Sequence, residues 1–461
     1  MGSSPPVRLV IASAALLAAA FAFVMPPLQV NDEHGHFVRA YQVSRGEWKG
    51  DPAPALPQAV VDFLMRYPER FDSERKFAAP DIRNAFSRGG DALGAPVRVH
   101  DDASHRFITW SILASSLYCP VVYLPSAAGI AAARAAGLAP LGMLYAARLC
   151  NVLSFAIALW IALRLAPGSR ALIAAVALMP MTLHQAGGVS ADLLTIAISL
   201  AGFALILRVR AGKGDSRLLI ALACLMPVWV LCKTSVWALP LLLFLPSHRF
   251  ANRGRRALYI AGVAFAAFAA LALWQHAIHA NLALFRADRL ARGMDTSGNL
   301  AFLRAHPVPF ARMLLAYMAT HSGEHTGQFI GAFGWMKLTL STGARVLYLG
   351  LILFAAIFDS PGRIVTAAER LGFAALFLAT LAATYIVMFA SDGVVTARGI
   401  AFPYSAGVQG RYFIPFCLAG FLALQRNRRT IEAGRALRIV VYAALVFDLL
   451  SLSVIWNSYY A

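Results

Sequence analysis

Residues Leu9–Phe37 read LVIASAALLAAAFAFVMPPLQVNDEHGHF. The first part, Leu9–Met25, is an apolar run long enough to cross a membrane as a helix. The run ends at Pro26-Pro27, and PPLQVNDE is not a small-residue cleavage site, so we expect a retained helix. The segment Gln29–Phe37 that follows carries two adjacent carboxylates and two histidines. Such groups are costly in hydrocarbon, so the stretch predicts an acidic cluster at the membrane surface where the first helix ends.

The composition places the whole chain in a membrane. Of its 461 residues 59% are hydrophobic and 14% are charged, whereas a soluble domain carries about 25% charged residues. The net charge of +19 raises the question of nucleic acid, but no basic run is interleaved with aromatic residues, so we expect no nucleic-acid partner. We assign the positive charge to loops that set orientation and meet anionic membrane lipids. Five cysteines without CxxC spacing imply neither a disulfide framework nor a zinc site.

Hydropathy predicts an all-α polytopic bundle with about eleven transmembrane helices. The spans lie near 8–27, 143–165, 170–187, 190–209, 217–232, 234–247, 257–278, 344–358, 370–390, 412–425 and 437–457. Arginine-bearing short loops separate alternate spans, and all of them fall on one side if the N-terminus is cytoplasmic. The sequence therefore predicts a multi-pass membrane protein whose C-terminus lies outside the cytoplasm.

Three segments remain on the predicted external side: 28–142, 279–343 and 391–411. The first is long and holds twelve of the 22 acidic residues. Within it, the apolar spacing of Leu56–Arg70 predicts an amphipathic helix, and the polar, glycine-rich Arg83–Asp102 predicts a loop. Ser116–Ala136 is apolar but interrupted by prolines, so we expect a juxtamembrane or re-entrant helix.

The pair Asp32-Glu33 is the first candidate for chemistry. A carboxylate here could activate an acceptor hydroxyl by taking its proton, or it could be only a solvated helix cap. His36, two residues beyond, could join the pair in holding a divalent metal. The spacing supplies no further ligand, and the metal remains an open alternative to a metal-free site.

Lys233 and Asp192 stand at predicted span ends on the same side as the acidic pair. Lys233 could snorkel to the interface or bind a phosphate group. Asp192 could cap the helix that it opens, because the helix dipole favours a carboxylate there, or it could act in a site. The preceding Gly187-Gly188 would permit a substrate to approach the backbone closely.

The segment GVQGRYF, residues 407–413, is the third candidate. Arg411 offers the planar guanidinium that binds phosphate or carboxylate. Tyr412 could stack on a sugar ring or belong to an interfacial aromatic belt. The glycine and glutamine context favours a binding site that includes Gln409.

Six segments resemble, in this order, the bacterial membrane family catalogued as domain of unknown function 2142. They are PPLQVNDEHGHF, ARLCN, MPMTLHQAGGVSADLL, CKTSVWALP, FIGAFGW and GVQGRYFIP. That family is in turn similar, more distantly, to the GT-C superfamily of lipid-carrier glycosyltransferases, which use sugars carried on polyprenyl phosphate or diphosphate.

The resemblance implies a GT-C-like bundle and a catalytic role for Asp32 or Glu33. It also implies that Lys233 lies near the carrier phosphate and that Asp192 is a second external acidic position. Trp335, which ends FIGAFGW, is included among the predicted substrate-binding residues together with His36, Asp192, Lys233, Gln409, Arg411 and Tyr412.

We therefore expect a glycosyltransferase that moves a sugar from a polyprenyl-phosphate donor to an envelope glycan or lipid acceptor, without a required cofactor. A transporter or flippase for an envelope lipid or saccharide is the alternative, and a non-catalytic scaffold is a third. The long acidic external segment and the absence of inverted internal symmetry favour the enzyme.

Overall fold

The computed structural model describes residues 5–67, 76–77, 93–99, 106–166, 168–212, 216–359, 365–396, 399–401, 407–425 and 431–461. The α-helices of this described part are α1 Pro5–Val24, α2 Glu33–Ser44, α3 Gln58–Arg66, α4 Arg106–Ser116, α5 Leu124–Ala135, α6 Pro140–Leu165, α7 Arg170–Ala177, α8 Pro180–Ala186, α9 Asp192–Ala211, α10 Ser216–Leu231, α11 Arg253–Ala277, α12 His279–Ala291, α13 Thr296–Ala305, α14 Pro307–Thr320, α15 Ser322–Ile330, α16 Thr342–Phe358, α17 Ala367–Asp392, α18 Cys417–Ala423 and α19 Ala433–Tyr459. Three antiparallel pairs of short strands accompany them: β1 Ala55–Pro57 with β2 Pro96–Arg98, β3 Ala332–Phe333 with β4 Leu338–Thr339, and β5 Val394–Thr396 with β6 Gly399–Ala401. The expected all-α bundle is confirmed.

Seven helices of the described chain are long and apolar enough to cross a membrane. They are α1, α6, α9, α10 together with the 3₁₀ turn that extends it to Thr234, α11, α17 and α19. On α11 the apolar side chains Leu258, Phe265 and Leu273 are each more than 70% exposed. Surfaces of this kind are rare in soluble monomers but suit a lipid environment. The helices α1, α6, α9 and α19 pack together and build the core against which the polar site is placed.

The other four predicted spans are shorter or broken, and the count of eleven stays a prediction. The segment 170–187 divides into α7 and α8 because Pro180 starts a new helix. The segment 234–247 is a 3₁₀ helix, Val236–Phe244, with Pro240 inside it. The segment 412–425 begins as the 3₁₀ helix Gly410–Phe416 before α18. The remaining one is the 17-residue helix α16.

The first predicted external segment contains two short helices joined at a sharp bend. Ile108–Ser116 and Pro120–Ala135 meet at 118°, which is the geometry of a broken span or a re-entrant segment. The predicted amphipathic helix is shorter than expected, because Leu56 belongs to β1 and the helix α3 ends at Arg66. The expected loop Arg83–Asp102 is wrong in part, since Pro96–Arg98 pairs with β1; residues 83–92 and 100–102 lie outside the described residues.

The segment 279–343 folds into the helices α12 to α15 and the hairpin β3–β4. The segment 391–411 begins with β5 and β6 and leads into the 3₁₀ helix that carries Arg411; residues 397–398 and 402–406 are not among those described. The side chain of Gln328 in α15 accepts the backbone N–H of Gly410 at 2.8 Å. This contact ties the second segment to the end of the third one, directly before Arg411.

The end of the bundle where α1 begins is held together by polar contacts between predicted cytoplasmic loops. Asp359 accepts the backbone N–H groups of Ala171 and Leu172 at the start of α7, and Arg210 pairs with Glu369. We call this the arginine end, because most of the short arginine-bearing loops lie here. The opposite end holds the residues that the sequence predicts to form a functional site.

Candidate functional site

The turn after α1 is fixed by Arg148 from α6. Its Nη1 donates to the carbonyl oxygens of Ala22 at 2.7 Å and Met25 at 2.9 Å, and its Nη2 donates to that of Pro26 at 3.1 Å. The last carbonyls of a helix have no partner within the helix, and the two prolines prevent the helix from continuing. Arg148 therefore satisfies the carbonyls at the point where the chain turns towards Asp32.

Glu33 is locked in place by the same arginine. Its two carboxylate oxygens lie 2.9 Å and 2.6 Å from Nε and Nη2 of Arg148, and both side chains are fully buried. The backbone N–H of Val189 donates to Glu33 at 2.9 Å. A carboxylate enclosed in this way links α2, α6 and the segment before α9. Its geometry is that of a structural ion pair.

Asp32 differs from Glu33 in its burial and in its ion-pair partner. It precedes α2 in the left-handed conformation, with φ at 59°, and its side chain does not cap the helix. The carboxylate instead accepts a hydrogen bond of 3.2 Å from Nη2 of Arg411, and 34% of its side chain is exposed. Asp32 is therefore a partly accessible carboxylate with a single described charge partner.

Asp192 joins the two cations of the site. Its carboxylate lies 2.6 Å from the ammonium of Lys233 and 3.6 Å from Nε of Arg411. The side chains of Asp192 and Arg411 are only 6% and 4% exposed. Asp32, Arg411, Asp192 and Lys233 thus form a continuous chain of alternating charges, which we call the four-charge cluster.

Two tyrosines enclose the ammonium of Lys233. Its Nζ lies 5.0 Å from the ring centroid of Tyr412 and 5.6 Å from that of Tyr118. The guanidinium of Arg411 lies 5.6 Å from the ring of Tyr412. Aromatic faces stabilise a cation that has left water. Tyr412 therefore serves both cations of the cluster within the protein itself, in addition to any role towards a ligand.

The two histidines of α2, His34 and His36, lie close enough to Asp32 to feel its charge. Nδ1 of His36 lies 2.6 Å from the hydroxyl of Tyr123. Burial lowers the pKa of His36 to about 4, against the opposing effect of the Asp32 charge. Burial likewise lowers the pKa of His34 to about 4. The ring of Trp335 stands against that of His34, with centroids 6.5 Å apart. Both imidazoles are therefore neutral at pH 7.

Gln409 directly precedes the 3₁₀ helix that carries Arg411. Its side-chain oxygen is buried and makes no hydrogen bond within the described residues. It flanks the four-charge cluster in sequence, and its polar atom remains available inside the protein.

A metal site is not assembled in the part of the chain that the structure describes. No three His, Cys, Asp or Glu side chains come together there in a way that could hold a metal ion. Glu33 turns towards Arg148 and Asp32 towards Arg411, so the adjacent carboxylates do not share a ligand. The metal that the sequence left open therefore finds no donor set among Asp32, Glu33 and His36.

Gly187-Gly188 does not provide access to a substrate. A Cβ atom at Gly188 would lie 2.8 Å from Val30, and one at Gly187 would lie 2.7 Å from the carbonyl oxygen of Ala18. The expectation of a substrate approaching the backbone here is wrong, because α1 and the turn after it occupy that space. The two glycines allow close packing of the protein against itself.

Backbone strain is concentrated at this end of the bundle. Among the described non-glycine residues seven have positive φ, and six of them lie in the segments that form the site. The six are Leu28, Asp32, Lys233, Thr234, Trp335 and Met336. Each left-handed residue costs roughly 1–2 kcal/mol. Strain of this kind persists where the surrounding structure enforces it, commonly at functional sites.

Sequence reasoning did not identify Arg148, Tyr118 or Tyr123 as residues of this region. The sequence did contain an indication for Arg148, because it lies inside a predicted span and a charge in that position requires a partner. The tyrosines had none, since an aromatic residue near a membrane surface is common.

Comparison with known proteins identifies a family. The family model described as a predicted membrane protein (DUF2142) matches residues 15–419. No curated protein matches the chain, and no solved structure does. The match covers the second half of α1, the four-charge cluster and most of the bundle, so the chain belongs to the DUF2142 family of predicted membrane proteins.

Proposed function

We propose that this protein is a membrane glycosyltransferase. It would move a sugar from a polyprenyl-phosphate donor to an envelope glycan or lipid acceptor on the periplasmic side of the bacterial inner membrane. The observation that carries the proposal is the four-charge cluster, in which the partly exposed Asp32 contacts Arg411, and Asp192 joins Arg411 to a second cation, Lys233. A transfer reaction on a phosphate-linked sugar needs both, a base for the acceptor and positive charge for the leaving group.

Asp32 is the proposed base. Two observations favour Asp32 over Glu33 for this role: Glu33 is fully buried with Arg148, whereas Asp32 is 34% exposed and can meet a hydroxyl group. The acceptor oxygen attacks the anomeric carbon of the sugar while its proton passes to Asp32. The bond from that carbon to the phosphate oxygen breaks, and its electron pair leaves with the polyprenyl phosphate.

Arg411 and Lys233 are the proposed phosphate-binding groups. Arg411 presents a planar fork suited to two phosphate oxygens, and Lys233 adds a second charge held between two tyrosine rings. Both side chains are largely removed from water. An electrostatic interaction inside the protein is stronger than the same interaction in solvent. Negative charge that develops on the leaving phosphate is therefore stabilised by groups already in position.

The test is transfer by purified protein in detergent, without a membrane gradient. Polyprenyl-phosphate glucose and polyprenyl-phosphate mannose, each with a labelled sugar, are offered with extracted envelope lipids and glycans as acceptors. We expect the donor to be consumed, and Asp32→Asn to reduce the rate by about a hundredfold or more. Asp62→Asn, a substitution on α3, is the matched control and should leave the rate unchanged.

Full turnover by Asp32→Asn would contradict the proposed base. A protein that moves the intact donor across a vesicle membrane without consuming it would be a transporter, and the proposal would be abandoned.

A further inference from the structure

The four-charge cluster is already electrically balanced. It contains two cations, Arg411 and Lys233, and two carboxylates, Asp32 and Asp192, joined by contacts of 2.6 to 3.6 Å. The neighbouring pair of Glu33 and Arg148 is balanced as well. A phosphate group that enters this site adds negative charge to a cluster in which each cation already has a carboxylate partner. Binding is therefore favourable only if one carboxylate gives up its cation.

The two carboxylates are held unequally. Asp192 is 6% exposed, and it pairs with Lys233 at 2.6 Å and with Arg411 at 3.6 Å. Asp32 makes a single bond of 3.2 Å and is 34% exposed. An ion pair with one partner near water is weak, whereas separating a buried pair is costly because an unpaired charge remains inside the protein. Asp32 is therefore the carboxylate that is displaced at the smaller cost.

Arg411 has donor capacity beyond its present partners. Nη2 bonds to Asp32, while the buried Nη1 makes no hydrogen bond of normal geometry within the described residues. A phosphate group carries oxygens spaced for two guanidinium N–H groups, and a planar fork binds them in parallel. A phosphate that replaces Asp32 would use both nitrogens. The exchange thus gains a hydrogen bond that the carboxylate does not provide.

We propose that Asp32 occupies the phosphate position on Arg411 in the resting protein, and that an arriving donor phosphate displaces it. The displaced carboxylate is then free to accept the proton of the acceptor hydroxyl. Donor binding and activation of the base are one event, so the donor must bind before the acceptor can react. This inference rests on the proposed function for its substrate, but the exchange itself is a binding property of the site.

The experiment measures binding with no acceptor present, on the full chain in lipid nanodiscs. The probes are labelled farnesyl phosphate, inorganic phosphate and, as the uncharged control, farnesol. We expect Asp32→Asn to bind farnesyl phosphate about five- to tenfold more tightly than the unaltered protein, because the competing charge is gone. Asparagine is well tolerated in the left-handed conformation, and Asp32→Gly is a second variant that suits the same backbone.

Arg411→Lys keeps the charge but lacks the fork, so it should weaken binding of farnesyl phosphate, and the gain from Asp32→Asn should largely vanish in the double variant. Farnesol binding should be equal in all variants. A gain confined to farnesyl phosphate identifies a lipid phosphate as the ligand, and an equal gain for inorganic phosphate identifies a free phosphate.

Unchanged or weaker phosphate binding by both Asp32 variants would overturn the exchange. An equal gain for farnesol would overturn it too, because the effect would then come from packing. Tighter phosphate binding in a protein that transfers no sugar would leave the exchange standing and remove the proposed function. Sugar transfer without tighter binding would do the reverse.

Discussion

Asp32 and Glu33 are adjacent in the chain, yet their carboxylates lie in opposite environments. Glu33 is fully buried with both oxygens on Arg148, and Asp32 is partly exposed beside Arg411. The left-handed backbone at Asp32 turns one side chain away from the other. Burying a charge is tolerated only when hydrogen bonds and an opposite charge replace water. At the scale of single residues, one carboxylate is enclosed within the fold and the other remains accessible.

Glu33→Gln should destabilise the protein. Arg148 would keep its backbone contacts but lose its countercharge, and leaving one member of a buried pair alone costs about 3–5 kcal/mol. We expect a clear fall in Tm in detergent, measured by tryptophan fluorescence. Glu47→Gln is the control, because Glu47 pairs with Arg45 at a site where both side chains are about 40% exposed. If Glu33→Gln and Glu47→Gln melt together, Glu33 is not a structural residue.

The helix α2 is short, and much of its burial comes from contacts with α4 and α5 of the first external segment. The backbone N–H of Gly35 donates to the hydroxyl of Ser111, and the hydroxyl of Ser115 donates to the carbonyl of Gly35. A side chain at Gly35 would collide with the backbone of α4, so glycine is needed for the close crossing. The two histidines of α2 are buried against other segments, His34 beside Tyr67 and Trp335 and His36 beside Tyr118 and Tyr123.

Acidification should weaken the protein through these histidines. Burial lowers the pKa of both His34 and His36 to about 4, whereas an unfolded histidine titrates near 6.5. The unfolded chain therefore takes up protons first. The stability that these groups contribute is complete above about pH 6.5 and is lost as the pH falls towards 4, at up to about 1.4 kcal/mol per pH unit for each histidine.

We expect Tm to decline between pH 7 and pH 5, and the decline to be smaller in a variant with His34→Gln and His36→Gln. His248→Gln, at an exposed position near the arginine end, should follow the unaltered protein. An identical pH profile for the double variant would show that other groups control acid stability.

At the scale of the whole molecule, the two ends of the helix bundle carry different polar groups. At the arginine end, Asp359 accepts the backbone N–H of Leu172, Glu369 pairs with Arg210, and Gln425 donates to the hydroxyl of Ser169. The opposite end carries the four-charge cluster, and there Asn281, just beyond α11, donates to the carbonyl of Gly50. Positive charge in short loops favours the cytoplasm. The cluster is therefore expected on the outer surface.

Single cysteines at Lys49 and Arg253 test this orientation. Lys49 adjoins Gly50 near one end of α11, while Arg253 begins that 25-residue helix. In a background without the five native cysteines, an impermeant thiol reagent applied to cells with permeabilised outer membranes should label Lys49→Cys and spare Arg253→Cys. The opposite pattern would place the cluster in the cytoplasm and remove the periplasmic reaction.

The sequence by itself was sufficient for the helical membrane class, the family resemblance and most of the residues around the site. Periodicity and hydropathy are local properties, and so are the proline breaks, although the sequence did not show that Pro180 divides one predicted span into two. Motif positions at predicted span ends also placed Asp32, Asp192, Lys233 and Arg411 on one side.

Only the tertiary structure decided how these residues are paired. Arg411 meets Asp32 across 379 positions of the chain, and Arg148 meets Glu33 across 115. The packing of α6 and the 3₁₀ helix Gly410–Phe416 around the turn after α1 decides which carboxylate is buried and which stays partly exposed. Those contacts carry no local pattern, because desolvation and ion pairing act between segments that are distant in sequence.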